Sequence, residues 1–320
     1  MLLAYAAKGE NMPDYDFIII GGGVSGLGAL EALLSSGHSN VALFEARDTL
    51  MYTNTWMKNI EVQNSSDSNS YTGTDFRMKI LSNLKKSNND KNIFTGMRVY
   101  FIDQQEKKIH LRSESGKREE YSYGTLIAAV GAAQIMYGKY LLPGSRGGRF
   151  FTSYQVGEMI EHYPFNPGEK LIIFGESLYT LDTALLANKS GISVTVVSPS
   201  ELKLPENWPN DITVYDNAIL KQVYGDTLFE GMLIQVGSAQ INIPGDSIAV
   251  DGDLVLEHPW RKHLNVEWDL KNWKLDLSLS QMKKRNLVVI GDAFKPDPDF
   301  IKQYQSGAEM LNEFNKAGEV

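Results

Sequence analysis

The sequence predicts an α/β fold of two Rossmann-like (three-layer ββα) domains, the second inserted into the first. Two stretches share one pattern of apolar and glycine residues: residues 14–48, DYDFIIIGGGVSGLGALEALLSSGHSNVALFEARD, and residues 171–200, LIIFGESLYTLDTALLANKSGISVTVVSPS. In each, an apolar run ends in glycine, a segment with helical periodicity follows, and a second apolar run closes a βαβ unit. A third stretch, NLVVIGDAF (286–294), predicts a buried strand that ends in Gly-Asp before a final helix at about 300–316.

The first βαβ unit is followed by a polar loop. Phe17–Ile20 predicts a buried strand, residues 24–36 predict a helix that Gly37 ends, and Val41–Phe44 predicts the next strand. The run NSSDSNSYTGTD (64–75) is polar and rich in turn residues, which is typical of a surface loop.

The next elements lead to the second unit. DFRMKILSNLKKS (75–87) predicts a helix, and short alternating runs within 93–131 predict a small antiparallel meander that returns to the main sheet. LLPGSRGGRF (141–150) clusters proline and glycine, so we predict that the chain crosses between domains there.

Composition excludes several classes of protein. The chain has 320 residues, of which 42% are hydrophobic and 22% charged, as in ordinary globular proteins. A net charge of −8 argues against a nucleic-acid partner, and no apolar run approaches the ~20 residues that span a bilayer. The opening residues lack the basic start and apolar length of a secretory signal, so we predict a cytoplasmic protein whose residues 1–12 are a disordered extension, with Met12 a candidate alternative start.

Cysteine is absent from the chain. Its absence excludes disulfides, thiolate nucleophiles, cysteine-ligated iron–sulfur clusters and cysteine-rich zinc sites. The five histidines show no metal-ligand spacing, except that His258 and His263 stand close together, so no metal is predicted.

The first glycine turn carries a complete dinucleotide fingerprint. Gly21 allows the tight turn, Gly23 lets a pyrophosphate approach the backbone, and Gly26 lets helix and strand pack closely. The helix that begins near Val24 offers free N–H groups to the pyrophosphate, and Glu45, at the end of the next strand, can accept hydrogen bonds from a ribose.

Distant segments indicate which dinucleotide binds. Residues 59–86, TLIAAVGA (125–132) and NLVVIGDAF resemble the corresponding segments of FAD-binding members of the pyridine nucleotide–disulfide oxidoreductase superfamily. The resemblance runs from about Tyr15 to the C-terminus and is strongest to the low-molecular-weight thioredoxin reductases. It implies FAD as the cofactor, a homodimer, and an FAD-binding domain of residues 1–150 and 251–320, with residues 151–250 an inserted NAD(P)-binding-like domain.

The same resemblance implies roles for single residues. Asp292 would bind the ribityl chain, Tyr304-Gln305-Ser306-Gly307 would approach the pyrimidine edge of the flavin, and Val99 would lie beside the adenine. The candidate FAD-binding residues are Gly21, Gly23, Val24, Ser25, Gly26, Glu45, Ala46, Arg47, Val99, Gly131, Gly291, Asp292, Gln305 and Ser306.

The second turn keeps only part of the fingerprint, which predicts weakened or lost NAD(P)H binding. The candidate residues of this site are Gly175, Glu176, Ser177, Leu178 and Ser198. Ser177 and Thr180 replace the later glycines, although the Ser177 hydroxyl could donate to a phosphate. Ser198 stands where an NAD site has an acid, and no arginine follows it as in an NADP site. The unit is either an altered nucleotide site or a βαβ unit kept for packing.

The functional hypotheses follow from these losses. Thioredoxin reductases carry Cys-x-x-Cys in the insert, whereas RFFTSYQVGEMIEHYPFNPGEK (149–170) has no cysteine, which excludes disulfide reduction through protein thiols. The leading prediction is an FAD-dependent oxidoreductase with a small-molecule or protein redox partner and no assignable catalytic residue. The alternatives are a non-catalytic or electron-transfer flavin-binding subunit of a larger complex, and an NAD(P)H-dependent flavin or ferredoxin reductase.

Several aromatic residues are weaker candidates. His258, Trp260 or His263 would lie near the flavin if EHPWRKH lined the domain crevice, but a surface turn stabilised by a packed Trp260 is the favoured interpretation of that segment. Tyr52 and Trp56 would stack over flavin or adenine, or belong to the core.

Overall fold

The structure is a computed structural model that describes residues 13–64, 67–136, 140–163, 165–256, 258–269 and 274–316. The predicted N-terminal extension lies outside these residues. Within them, no helix combines the length and the apolar character that crossing a membrane requires.

The described residues form helices and strands in the order that the patterns predict. The helices are α1 (Val24–Ser35), α2 (Gly73–Lys86), α3 (Ser153–His162), α4 (Leu178–Lys189), α5 (His258–Leu264), α6 (Leu279–Lys284) and α7 (Phe300–Lys316). The strands before the second unit are β1 (Tyr15–Ile20), β2 (Val41–Phe44), β3 (Val62–Gln63), β4 (Ser70–Tyr71), β5 (Ile93–Phe94), β6 (Met97–Asp103), β7 (Lys108–Ser113), β8 (Arg118–Ala128) and β9 (Ala133–Gln134).

The remaining strands include the last strand of the first sheet, the second sheet and its meander, and two short pairings, β18 with β9 and β19 with β20. They are β10 (Phe150–Thr152), β11 (Lys170–Phe174), β12 (Ser193–Val197), β13 (Thr213–Tyr215), β14 (Ala218–Tyr224), β15 (Gly231–Val236), β16 (Ala239–Pro244), β17 (Ser247–Val250), β18 (Leu254–Val255), β19 (Glu267–Asp269), β20 (Lys274–Asp276) and β21 (Leu287–Val289).

The first sheet has a parallel core and an antiparallel extension. Its parallel strands lie in the order β5-β2-β1-β8, and β21 pairs with the far side of β8. The N-terminal half of β8 continues into the meander with β7 and β6, as the alternating runs predict. Helix α1 packs on α7 at close range, since a Cβ on Gly28 would overlap the carbonyl oxygen of Tyr304, and one on Gly307 would overlap that of Ser25.

The second sheet repeats this plan within residues 150–250. Five parallel strands lie in the order β10-β17-β11-β12-β13, and β14, β15 and β16 form the antiparallel meander. Two βαβ-based units, each with a parallel sheet and a meander, confirm the predicted α/β class of two Rossmann-like halves.

Helix α4 connects the two halves. Its residues from Tyr179 to Ala187 are all buried, because one side packs on its own sheet and the other on the first half of the chain. The carboxylate of Asp182 accepts hydrogen bonds from the backbone N–H groups of Asn59 (2.8 Å) and Ile60 (3.0 Å) across this boundary. Burial raises the pKa of Asp182 to about 6.

Candidate functional site

The first glycine turn leaves room in front of helix α1. Gly21 has φ +108°, and a Cβ there would overlap the carbonyl oxygen of Ala129; a Cβ on Gly26 would overlap the carbonyl oxygen of Gly21. These two glycines are therefore required by packing. Gly23 is different: it is the N-cap of α1, and no described atom lies within 4 Å of where its Cβ would be. The free N–H groups of the helix start thus face open space, which suits an anion.

Glu45 lies at the carboxyl end of β2 and is held in place by backbone donors. Its Oε2 accepts from the N–H of Gly22 (2.6 Å), and its Oε1 accepts from the N–H of Arg47 (2.7 Å). A carboxylate has about four acceptor positions, so Glu45 can still accept from ligand hydroxyls. It lines a cavity together with Ala46, Arg47 and Val99, which we call the Glu45 cavity. The structure therefore brings these predicted residues together.

A second cavity, the Asp292 cavity, adjoins the first. Its lining includes Gly23, Val24, Ser25, Gly131 and Asp292 from the first half, and Tyr154 and Tyr179 from the second. Tyr52 and Ala132 line both cavities, so the two adjoin at these residues, and Gly23 at the open turn lines the Asp292 cavity.

Two polar groups that line the Asp292 cavity can make further hydrogen bonds. The Asp292 carboxyl accepts from the N–H of Asp297 (3.0 Å), and burial raises its pKa to about 7. Asn54 is 4% exposed, and its Nδ2 has no hydrogen-bond partner among the described residues. An unsatisfied buried donor costs about 1–3 kcal/mol, so a ligand with hydroxyl and carbonyl groups fits this cavity better than empty space does.

The start of α7 lines the Asp292 cavity and a neighbouring one. Gln305 and Ser306 line a neighbouring cavity with Gly291, which has φ +65°. In their place, Phe300 and Gln303 line the Asp292 cavity. Gln303 is a residue that the sequence reasoning missed; its Oε1 accepts from the hydroxyl of Ser25 (3.3 Å).

Replacing Asp292 with Asn is expected to stabilise the protein without a bound ligand at pH 8 but not at pH 4. The pKa of Asp292 is about 7 in the folded protein against an ordinary value of 3.8. The folded state therefore holds the proton more tightly, and the stability that this carboxyl contributes is present below pH 3.8 and is lost as the pH rises through 7. Melting temperatures across this pH range test the prediction. An Asp226→Asn variant, changed at an exposed position, is the control. An Asp292→Asn profile that parallels that of the wild type would contradict the prediction.

The second glycine turn is filled by the protein itself. Gly175 follows β11 as Gly21 follows β1, but a Cβ on Gly175 would overlap the side chains of Asp251 and Thr180. The Asp251 carboxylate accepts from the N–H of Ser177 (3.0 Å), the hydroxyl of Thr180 (2.8 Å) and Nε2 of Gln134 (2.6 Å). A buried carboxylate thus lies where the helix start would meet an anion.

The other candidate residues of the second turn are also engaged within the protein. The Ser177 hydroxyl accepts from the N–H of Tyr179 (3.1 Å) and so caps α4, while Leu178 packs against both cores. Ser198 is fully buried at the end of β12. Glu176 Oε2 accepts from the hydroxyl of Ser200 (2.6 Å), which joins the turn to the loop after β12.

Backbone hydrogen bonds show which residues of the two turns correspond. The N–H of Ala129 donates to the carbonyl of Ile20, and the N–H of Asp251 donates to that of Phe174. Both donors follow the strand that pairs with the first strand of their unit, so Asp251 occupies the position that small Ala129 holds in the first half. The first turn is open and the second is closed by the side chain at this one position.

The remaining aromatic candidates lie in different surroundings. Trp260 lines the Glu45 cavity, and Tyr52 lies under the guanidinium of Arg47 at 3.6 Å. His263 is half-buried beside Trp260, with ring centroids 6.0 Å apart, and Trp56 is 1% exposed behind the Asp292 cavity. The side chain of His258 lies outside the described part of the structure. Among described side chains, no group of three His, Asp or Glu residues is placed to hold a metal ion.

Comparisons with solved structures agree with this fold. The bacillithiol disulfide reductase of Bacillus cereus matches with a TM-score of 0.65 at 16% identity over 94% of this chain and 99% of that one. The thioredoxin reductase of Lactococcus lactis matches at 0.62 and 16% identity over 96% and 100%. L-proline dehydrogenase from P. horikoshii matches at 0.62 and 18% identity over 94% of this chain but 56% of that one.

Sequence comparison gives the family. A search of curated proteins finds no significant match. The family model for pyridine nucleotide-disulphide oxidoreductases matches residues 15–222, which is more than half of the chain and includes both glycine turns. The resemblance predicted from the motifs is therefore confirmed, and the chain belongs to the pyridine nucleotide-disulphide oxidoreductase family.

Proposed function

We propose that this protein is an FAD-dependent oxidoreductase that neither reduces disulfides through its own thiols nor takes electrons from NAD(P)H at its second turn. The observation that carries the proposal is the contrast between the two turns. The first has open space at Gly23. The second is filled by the carboxylate of Asp251.

The first half has the groups that FAD needs. Glu45 would hold the adenosine ribose, the helix start after Gly23 would receive the pyrophosphate, and Asp292 and Asn54 would bind polar atoms of the ribityl chain and flavin. Bound FAD accepts and returns electrons as hydride or singly. The surrounding residues position the cofactor and close its cavity to water. We propose that residues 1–150 and 251–320 form this FAD domain, with residues 151–250 inserted.

The second turn opposes a dinucleotide for two reasons. Asp251 already accepts the donors that the turn offers, and Glu176 adds a second carboxylate at the helix start. Two carboxylates at that position repel a pyrophosphate, because the pyrophosphate itself carries about two negative charges. The chain also has no cysteine through which electrons could pass to a disulfide.

Anaerobic mixing of the FAD-loaded protein with NADH and with NADPH tests this function. We expect the flavin absorbance to persist with both nucleotides, whereas dithionite should bleach it because the flavin itself remains reducible. Rapid bleaching by either nucleotide would contradict the proposal and support a flavin or ferredoxin reductase. Purified protein that neither carries nor takes up FAD would contradict the proposed function as a whole.

A flavin-binding or electron-transfer subunit is the second candidate, because the closed turn removes the chain's own entry point for electrons. The dehydrogenase of P. horikoshii, of which this fold covers 56%, shows that the fold occurs within a larger chain. We expect a small-molecule or protein redox partner and a homodimer. Light scattering on the purified protein measures the assembly, and turnover with dyes by the isolated chain would count against the subunit role.

A further inference from the structure

Two tyrosines from the inserted half close the Asp292 cavity. Tyr154 lies in the first turn of α3 and Tyr179 in the first turn of α4, with ring centroids 4.7 Å apart and planes at 76°. Both line the cavity that holds Asp292. Tyr179 is 5% exposed, while Tyr154 keeps part of its surface accessible in the cavity. Burial raises the pKa of both phenols well above the ordinary value, so both are neutral hydrogen-bond donors.

The pair is held rigidly from behind. The ring of Trp56 meets that of Tyr154 at 5.6 Å and 72°, and lies against Gly157, where any side chain would displace it. The backbone N–H of Tyr154 donates to Oε1 of Gln134 (3.0 Å). Helix α4, which carries Tyr179, is fixed to the first half through Asp182.

The position of the two tyrosines indicates which end of a bound dinucleotide they would contact. The adenosine end belongs to the Glu45 cavity and the pyrophosphate to the turn at Gly23, so the flavin end lies in the Asp292 cavity, where the two tyrosines form the wall from the inserted half. We propose that Tyr154 and Tyr179 contact the flavin ring, so that the inserted half serves as a fixed wall of the FAD site rather than as a nucleotide-binding domain. This inference rests on the proposed binding of FAD.

Contact of this kind has a spectroscopic consequence. When light excites the flavin, a phenol in contact with it donates one electron to the ring, and the electron returns in the dark with no net oxidation of either group. The fluorescence of bound FAD is therefore expected to be strongly quenched. Replacing tyrosine with phenylalanine keeps the aromatic ring but removes the electron donor. The variant therefore distinguishes electron transfer to the flavin from packing.

The test measures FAD stoichiometry by absorbance and fluorescence lifetime in the wild type, in Y154F/Y179F and in the same double variant with W56F. We expect FAD to remain bound in all three, and the lifetime to lengthen several-fold in the double variant and further in the triple, since Trp56 lies directly behind. Y123F is the control, because Tyr123 is about as buried as Tyr179 but lines neither cavity. Its lifetime should equal that of the wild type.

The outcomes separate the two proposals. If the protein binds no FAD, the proposed function fails. If FAD binds and its lifetime is the same in the wild type and in both the double and the triple variant, the flavin does not contact the pair and this inference alone is overturned. If the lifetime is unchanged in the double variant and lengthens only in the triple, Trp56 and not the tyrosine pair quenches the flavin, which also overturns this inference. A folding defect would appear as a lower melting temperature, and the conservative loss of two hydroxyls is chosen to avoid it.

Discussion

Replacing Gly23 with Asp is expected to weaken the proposed binding of FAD by at least about a hundredfold without destabilising the FAD-free protein. A carboxylate ~4 Å from a phosphate costs about 4 kcal/mol at an effective dielectric constant of ~20. The fold tolerates the change because Gly23 has φ −75° and ψ −176°, which any residue adopts, and no described atom lies within 4 Å of its Cβ position. Asp is moreover a favourable N-cap, so the melting temperature without FAD should stay level or rise slightly.

The second turn supplies a matched control for this variant. Ser177 is the N-cap of α4 with φ −94° and ψ 175°, the counterpart of Gly23 in the other βαβ unit. Ser177→Asp adds the same charge at the same backbone position of a turn that we propose binds no dinucleotide, so the affinity for FAD should not change. Titration of the FAD-free protein with FAD, followed by flavin absorbance and calorimetry, gives both affinities. Equal affinities in the two variants would show that FAD does not use the first turn.

The sequence predicted the elements that depend on local patterns. Apolar runs and their terminating glycines located β1, α1 and β2 within two residues, because burial of a parallel strand and the periodicity of a helix are written in adjacent residues. The same reasoning placed Gly21 and Gly26 at a tight turn, and the structure shows that a Cβ at either would overlap backbone. The start of α2 was placed two residues late, since Thr72 caps it by accepting from the N–H of Asp75 (3.1 Å).

The rest of the site depends on contacts between residues far apart in the chain. The sequence showed that Ser177 and Thr180 replace glycines, but not that their N–H and hydroxyl groups point at Asp251, more than seventy residues later. One signal was available: Asp251 directly follows the buried run SIAV, as Ala129 follows β8. Asn54 and Tyr154 had no local signal, because each lines the cavity only when segments far apart in the chain pack together.

The largest effect on stability is expected from Asp251→Ala, which should lower the free energy of unfolding by about 2–4 kcal/mol. Asp251 is 5% exposed, and its removal leaves the N–H of Ser177 and the hydroxyl of Thr180 without their acceptor in a closed turn. Urea denaturation measures the change. Asp246→Ala is the control, because Asp246 also accepts from two backbone N–H groups, those of Glu169 (2.9 Å) and Lys170 (3.1 Å).

The difference between the two variants decides whether the second turn is closed by its own carboxylate. The side chain of Asp246 is 35% exposed, so water can replace it as an acceptor and the expected loss is below about 1 kcal/mol. Water cannot do so at Asp251 without entering the space beside Gly175. Thr180→Val should lower the free energy of unfolding by less than Asp251→Ala does. The double variant should lose less than the sum of the two single losses, because both substitutions remove the same hydrogen bond, that between Thr180 and Asp251. Additive losses, or equal losses at Asp251 and Asp246, would mean that the carboxylate does not hold the turn, and the reason for excluding NAD(P)H would then be lost with it.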